Sequence, residues 1–474
     1  MKILISHSYF ISYDPKEANN HKPFPPLAPL HLSTLIKQEL NLEVEFFDVM
    51  FDKDWKILAN KINSFEPDIF ILYDDDFNYL TKMCLENMRD AIFSTIHNVN
   101  KSGLFIAHGS DASDQSVKYL KAGFDFIVNQ NAEQIILDIL TLIIKNKPEQ
   151  IKNLNSVSYF KNETLVTNQK ATTNFPIENM PLPDWQNIDL NPYKEEWIKH
   201  HKYFAINVST SHGCPFRCNW CAKPLYGRTY KVMTPQKVAE HFNFLKNTIH
   251  VDYIWITDDI FALKPGWIRE FADEINKINS KIPYKIQSRA DLITEEYVNG
   301  LSESGCDEVW LGVESGSQKI LDAMDKDLQV HQTFDATRLL KKYKIKVAYF
   351  LQYGYPGEEY DDIKQTLSLI KNGKPDHIGI SVSYPLKNTP FYNQVVNEMK
   401  EKQNWKDSGD LALMYHGKYE PDFYRKLHTF THHYFGFYSI FRKQSLVKRI
   451  RRLAAQYKHL PGMLGSRIAM QKYL

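Results

Sequence analysis

Three of the five cysteines fall within eight residues, in the run Ser211-His212-Gly213-Cys214-Pro215-Phe216-Arg217-Cys218-Asn219-Trp220-Cys221. The spacing is C-x3-C-x2-C, and three thiolates gathered this closely suit a metal centre. Two centres are open at this point. A closed structural zinc site takes four protein ligands. Here the fourth would be His212, because the next cysteine, Cys306, lies far along the chain. Three cysteines alone suit a four-iron cluster that keeps one iron open for a substrate or cofactor. The ligand count favours the cluster. The other two cysteines read as core: Cys84 falls in a helical stretch and Cys306 just before a strand, and free cysteine is commonly buried.

Further charged residues follow apolar runs downstream. Thr257-Asp258-Asp259-Ile260-Phe261 places two carboxylates after one run, where they suit an ammonium, a ribose or a helix N-cap. Arg289, in Gln287-Ser288-Arg289-Ala290-Asp291, carries a fork that fits a carboxylate bidentately, or a surface ion pair. Glu314, in Leu311-Gly312-Val313-Glu314-Ser315-Gly316-Ser317, suits ribose hydroxyls or the N-terminus of a helix, and the glycines admit close backbone approach. Tyr353-Gly354-Tyr355-Pro356-Gly357-Glu358 holds a Pro-Gly turn.

These residues need a scaffold that brings strand ends together. Strand-like runs at 205–209, 253–257, 284–288, 308–312, 347–353 and 377–384 alternate with helical patterns at 235–246, 267–278, 295–304, 318–324, 330–343 and 360–372. Six βα units suit a partial α/β barrel over 203–398, whose active site lies at the carboxyl ends of its strands. An earlier alternating series has strands at 2–6, 43–47, 68–73, 104–107 and 124–128, with helices at 30–40, 55–64, 79–96, 115–121 and 132–144. It predicts a doubly wound, flavodoxin-like domain over 1–145. Residues 146–202 read as a connector with a hairpin at 157–166 and a proline-rich stretch. Residues 399–474 read as a helical C-terminal extension.

Composition narrows the function classes. With 474 residues, 43% hydrophobic and 24% charged, the chain can bury a sizeable core and is not disordered in the main. The 58 basic and 56 acidic residues nearly cancel, which excludes a whole-protein basic field for nucleic acid. Five cysteines exclude a disulfide scaffold and suit a reducing cytoplasm. No apolar run reaches the roughly 18 residues of a membrane span, and the N-terminus reads as a strand rather than a signal peptide.

The cysteine run and the strand-end motifs, in this order, resemble the radical S-adenosylmethionine (SAM) superfamily over about residues 203–395. The N-terminal domain extends the resemblance to its cobalamin-binding subgroup. Pro25-Pro26-Leu27-Ala28-Pro29-Leu30, His108-Gly109-Ser110, Gly123-Phe124-Asp125 and Glu133 match that subgroup. The resemblance implies that Cys214, Cys218 and Cys221 hold a 4Fe–4S cluster whose open iron is chelated by the amino and carboxylate groups of SAM. Reductive cleavage of the sulfonium then gives a 5′-deoxyadenosyl radical. It also implies that Asp258 and Asp259 stand at the methionine-amino position, in place of the usual Gly-Gly-Glu. Arg289 would meet the carboxylate, Glu314 the ribose and Gly354 the adenosine side. Pro29, His108, Gly109 and Ser110 are the implied cobalamin contacts. The sequence departs at D-x-H-x-x-G, since Ile5 and Phe10 flank His7, so His7 is not read as a cobalt ligand. Asn129-Gln130-Asn131 likewise replaces the usual Gly-Glu.

The activity implied is methylation of an unactivated carbon on a small-molecule or lipid-like substrate, with methylcobalamin as donor. Two alternatives stand beside it: a ring closure or rearrangement of the kind run by the anaerobic porphyrin cyclase, which the C-terminus also resembles, and a non-catalytic metal-binding module. The Asp, Arg and Glu set at the strand ends argues against the module. Methylthiotransferases of the superfamily carry extra N-terminal cysteines and a basic RNA module, and neither is present here. The expected partners are a small molecule, hydrophobic in the lipid or tetrapyrrole case, and a reductase, flavodoxin or ferredoxin electron donor, without nucleic acid. The aromatic segment 428–441, followed by basic residues from Arg442 to Arg452, reads as packing or as a peripheral contact of a cytoplasmic protein with the inner face of the membrane.

Overall fold

The computed structural model describes residues 1–74, 85–130, 132–172, 175–221, 229–439 and 465. The expectations for Cys84, Asn131, the start of the 79–96 helix and the basic run at 442–452 lie outside the described residues.

The first sheet is built from runs that are apolar on both faces, as a parallel sheet covered on both sides requires. Ile3–Ser6 (β1), Val44–Phe47 (β2), Ile69–Tyr73 (β3), Leu104–His108 (β4) and Phe126–Val128 (β5) pair in parallel in the order β2-β1-β3-β4-β5. This is the predicted flavodoxin-like order. Helices Leu27–Leu40 and Ala132–Ile144 pack together in one layer, and Lys56–Phe65, Glu86–His97 and Ser116–Ala122 form the other. Val157–Lys161 (β6) and Thr164–Thr167 (β7) form an antiparallel hairpin that pairs with β5 and extends this sheet. Asn162 and Glu163 both have positive φ (49° and 61°), the signature of a two-residue type I′ turn. The connector hairpin therefore covers what would otherwise be an open sheet edge.

The second sheet is wholly parallel. Ala205–Val208 (β8) is followed by a short ribbon of Ser211–His212 (β9) and Lys231–Val232 (β10), then by Tyr253–Ile256 (β11), Tyr284–Ser288 (β12), Cys306–Glu314 (β13), Lys346–Tyr353 (β14) and His377–Val382 (β15). The order is β8-β11-β12-β13-β14-β15, with β8 and β15 at opposite ends, so the barrel is open, as six βα units allow. Side chains alternate across it. Ile254, Ile256, Ile286, Val309 and Leu311 are buried, while Trp255, Gln287, Trp310 and Gly312 line a cavity on the concave side. Thr234, Thr294 and Thr389 cap the helices that follow them, accepting from the N–H three residues on.

The C-terminal extension is helical only from Pro421, in Pro421–Ser439. Residues 399–420 run as loop, consistent with their turn-forming content (Asp407-Ser408-Gly409-Asp410, Gly417). That loop is fastened to the first domain. Arg89 Nη1 donates to Asp111 Oδ1 (2.7 Å) and to Asn404 Oδ1 (3.1 Å), and Ser408 Oγ donates to Asp14 Oδ1 (2.7 Å). The backbone N–H of Glu86 donates to Trp405 O (2.8 Å). No helix among the described residues is long and apolar enough to cross a membrane.

Arg89 and Asp111 are both almost fully buried, so removing one partner leaves a desolvated charge. Arg89→Ala should lower unfolding stability by roughly 3–5 kcal/mol, read from the midpoint of a denaturant titration.

Candidate active site

The cysteine loop hangs between β9 and β10, just beyond the carboxyl end of β8. What fixes its start is Asp258. Its carboxylate accepts the N–H of Thr210 (2.6 Å) and of Ser211 (3.1 Å), the Ser211 hydroxyl (2.7 Å) and the Thr210 hydroxyl. Burial pushes this carboxyl up to about 6 against those hydrogen bonds. Asp258 is thus committed beneath the turn, while its neighbour Asp259 lines the cavity.

The middle of the loop is held by Asn219, which the sequence reading missed. Its N–H donates to Met324 O (3.1 Å) and its carbonyl accepts from Phe391 N (3.1 Å). Its side-chain amide donates to Ala323 O (2.8 Å) and Asp325 Oδ2 (3.1 Å) and accepts from the Tyr355 hydroxyl (2.9 Å). One buried residue between two cysteines therefore ties the loop to the segments after β13, β14 and β15. Cys214 is buried; Cys218 and Cys221 are half-buried and line the cavity, and Cys221 N–H donates to Cys218 O (3.3 Å).

Arg289 lies against this loop. Its guanidinium stacks on Phe216 at 3.9 Å, and Nη1 approaches Cys218 Sγ at 3.7 Å. Nε and Nη2 grip Asp291 (2.9 and 3.1 Å), and Nη2 also donates to Lys326 O and Asp327 O. The bidentate partner of Arg289 is therefore a carboxylate of the protein itself.

Glu314 ends β13 at a bulge, in the left-handed region (φ 60°), and accepts from Lys326 Nζ at 2.9 Å with both side chains buried. Gly312 makes room for this pair, since a Cβ there would stand 2.9 Å from Lys326 Nζ. Nothing in the pattern Asp325-Lys326-Asp327 marks its middle residue as buried.

Cys218, Cys221, Asp259, Arg289, Glu314 and Lys326 line one cavity of about 390 Å³. Its floor is apolar (Trp255, Trp310, Phe350, Ile380), and the rings of Trp310 and Phe350 pack tilted by 34° with centroids 4.6 Å apart. Lys16, from the first domain, and Trp405, Ser408 and Leu411, from the C-terminal loop, form the opposite wall. The indole N–H groups of Trp220 and Trp405 are buried in this lining without a hydrogen-bond partner among the described residues. Unpaired buried donors are costly, and these two suit the acceptors of a ligand.

The remaining candidates lie elsewhere. Gly354 (φ 83°) faces Leu413 and Tyr424, and its N–H donates to Glu358 at 2.6 Å; burial raises that carboxyl to about 8. In the first domain, Pro29 is buried in its helix, Ser110 opens a short helix, and His108 Nδ1 bonds Val128 O at 2.7 Å. Gly109 lacks a Cβ because Asp74 stands there, at 2.7 Å from where one would be. His7 is committed too, with Nε2 on Asp48 Oδ1 (2.8 Å) and Nδ1 accepting from Tyr9 N (3.2 Å).

Residues 208–370 match the model of the Radical SAM superfamily. Among curated proteins, an uncharacterized methyltransferase of Pyrococcus horikoshii is 21% identical over 391 residues, covering 81% of each chain. The anaerobic magnesium-protoporphyrin IX monomethyl ester cyclase of Rubrivivax gelatinosus is 23% identical over 417 residues, 85% of this chain and 72% of that one. Among solved structures, the cobalamin-dependent SAM radical enzyme OxsB with aqua-cobalamin bound superposes with a TM-score of 0.74 at 17% identity, over 98% of this chain and 72% of its own. The radical SAM methyltransferase TsrM of Kitasatospora setae, with cobalamin and a 4Fe–4S cluster, gives 0.66 at 16% identity, over 84% and 74%.

If Asn219 fixes the loop, Asn219→Ala should leave the fold intact by circular dichroism but reduce the iron retained after reconstitution and gel filtration by at least half. Iron retention equal to the unaltered chain would show that the loop is held by other means.

Proposed function

We propose that the chain methylates a carbon of a small, largely apolar molecule, because its residues 208–370 match the Radical SAM superfamily and its fold is shared with cobalamin-dependent radical SAM enzymes. The observation that carries this reading is the single cavity in which two of the clustered thiols, Asp259 and Glu314 meet an aromatic floor. Its volume lies in the range of small-molecule sites.

The donor set fits the groups that such an enzyme uses. Three thiols on one loop, with a guanidinium beside one of them, suit three irons of a cluster. When bound, the cluster and SAM supply a 5′-deoxyadenosyl radical and cobalamin supplies the methyl group. The chain's own residues do the rest. Asp259 accepts from the ammonium of SAM and Glu314 from its ribose, with Lys326 locking the Glu314 rotamer. Arg289, already gripped by Asp291, orients the Cys218 thiolate rather than binding the SAM carboxylate. Trp255, Trp310 and Phe350 hold the apolar body of the substrate and keep water from a reactive radical. Cobalamin would be held where Lys16, Trp405 and Ser408 face the barrel mouth. His7 and His108 are bonded within the first domain.

The cyclase of Rubrivivax gelatinosus, similar over most of both chains, supports a second reading in which the same radical closes a ring. Anaerobic reconstitution followed by turnover separates the two. The first reading expects about four irons per chain, lost in Cys214→Ala, together with corrin uptake and a product heavier than its substrate by one CH2. A product that gains no carbon, with no corrin uptake, would establish the cyclase reading; zinc in place of iron would overturn both.

A further inference from the structure

Away from the cavity, three metal-ligating side chains converge at the join between the first domain and the connector. Helix Asn191–His201 carries Glu196 and His200 one turn apart on the same face. His21, just past helix Pro15–Asn20, meets them from the first domain. Glu196 Oε2 lies 3.0 Å from His21 Nδ1 and 3.5 Å from His200 Nε2, and one ligand atom from each residue falls within 4.8 Å of the others. Ligands of a tetrahedral zinc ion, at 2.0–2.1 Å from the metal, stand about 3.3 Å from one another. The two carboxylate-to-imidazole separations bracket that value.

The arrangement is also prepared around the ligands. The imidazoles of His21 and His200 stack in parallel, 4° apart with centroids 3.6 Å distant, so a shared ion requires one ring to turn about its Cβ–Cγ bond. His21 sits in the left-handed region (φ 52°), and its backbone is held there by His201, whose Nε2 bonds His21 O at 3.0 Å and Asn20 O at 3.2 Å. Trp197 Nε1 donates to Pro23 O at 2.7 Å and fastens the same segment one turn earlier on the helix. All three ligands remain partly exposed, so an ion can reach them.

We propose that His21, Glu196 and His200 form a second metal site, for a zinc-like divalent cation with water as fourth ligand. It would clip the segment after helix 15–20 to the connector helix. Helix 15–20 carries Lys16 into the wall of the cavity, so the clip would stiffen the wall without touching the substrate. The site is independent of the cysteine cluster and of the function proposed above.

The test is equilibrium dialysis of cluster-loaded protein against buffered micromolar Zn2+, with elemental analysis of zinc and iron and a thermal unfolding scan. The expected result is one zinc per chain and a raised Tm. His200→Ala and Glu196→Gln should each lose the zinc and the Tm rise while keeping the iron. A Cys214→Ala/Cys218→Ala/Cys221→Ala variant should lose the iron and keep the zinc. His201→Ala, which removes a support of His21 and leaves the three ligands in place, should weaken zinc binding by about 10–100-fold. No zinc in the unaltered protein, or equal zinc in the His200→Ala and Glu196→Gln variants, would overturn the proposal.

Discussion

A loop that must present three thiols has almost no regular hydrogen bonding of its own, and the active end of the barrel depends on how this is solved. The solution is two polar side chains placed under it. Asp258 gathers the backbone and hydroxyl donors of Thr210 and Ser211 where the loop begins. Asn219 spends both its backbone groups and its whole amide on three neighbouring segments. Each is buried, so each hydrogen bond is made where water cannot compete, and an unmade one would cost more than at the surface. The thiols are thereby positioned before any metal arrives.

The same economy explains the rim. Arg289 and Glu314 are charged residues at strand ends, yet neither waits free for a ligand. Arg289 holds Asp291 and two carbonyls, and Glu314 holds Lys326. A lone buried charge would be strongly disfavoured, so each is paired within the protein. Beside them the cavity presents Asp259, two indole N–H groups and an aromatic floor. A ligand therefore meets a preformed frame, in which the charged groups mainly fix geometry.

Much of this was legible in the sequence. Most strands of both sheets carry apolar runs that stood out, and the βα alternation gave the flavodoxin-like fold and the open barrel. The cysteine spacing marked the loop. What stayed hidden depended on single contacts across long separations. Asp258 and Asp259 looked equivalent, although neighbouring residues at a strand end point to opposite sides; that alternation was the available signal. Asn219 and Lys326 carried none, because a lone Asn or Lys in a loop is usually solvated. The hairpin at 157–166 was readable as a hairpin, but not the sheet edge it would join. In the first domain, Gly109 read as an opening toward a ligand, and a Cβ there would meet Asp74.

The bond between Arg89 and Asn404 spans 315 residues of chain. It anchors the loop that supplies Trp405, Ser408 and Leu411 to the cavity, so one wall of the site is the product of a long chain closure. Such closures are costly in entropy and form after local structure. During synthesis, both sheets can be complete while this side still stands open to solvent. A bulky group can then be seated through the gap and enclosed when the last wall docks. A chain cut before residue 404 would keep its thiols and its barrel but would have no enclosed chamber.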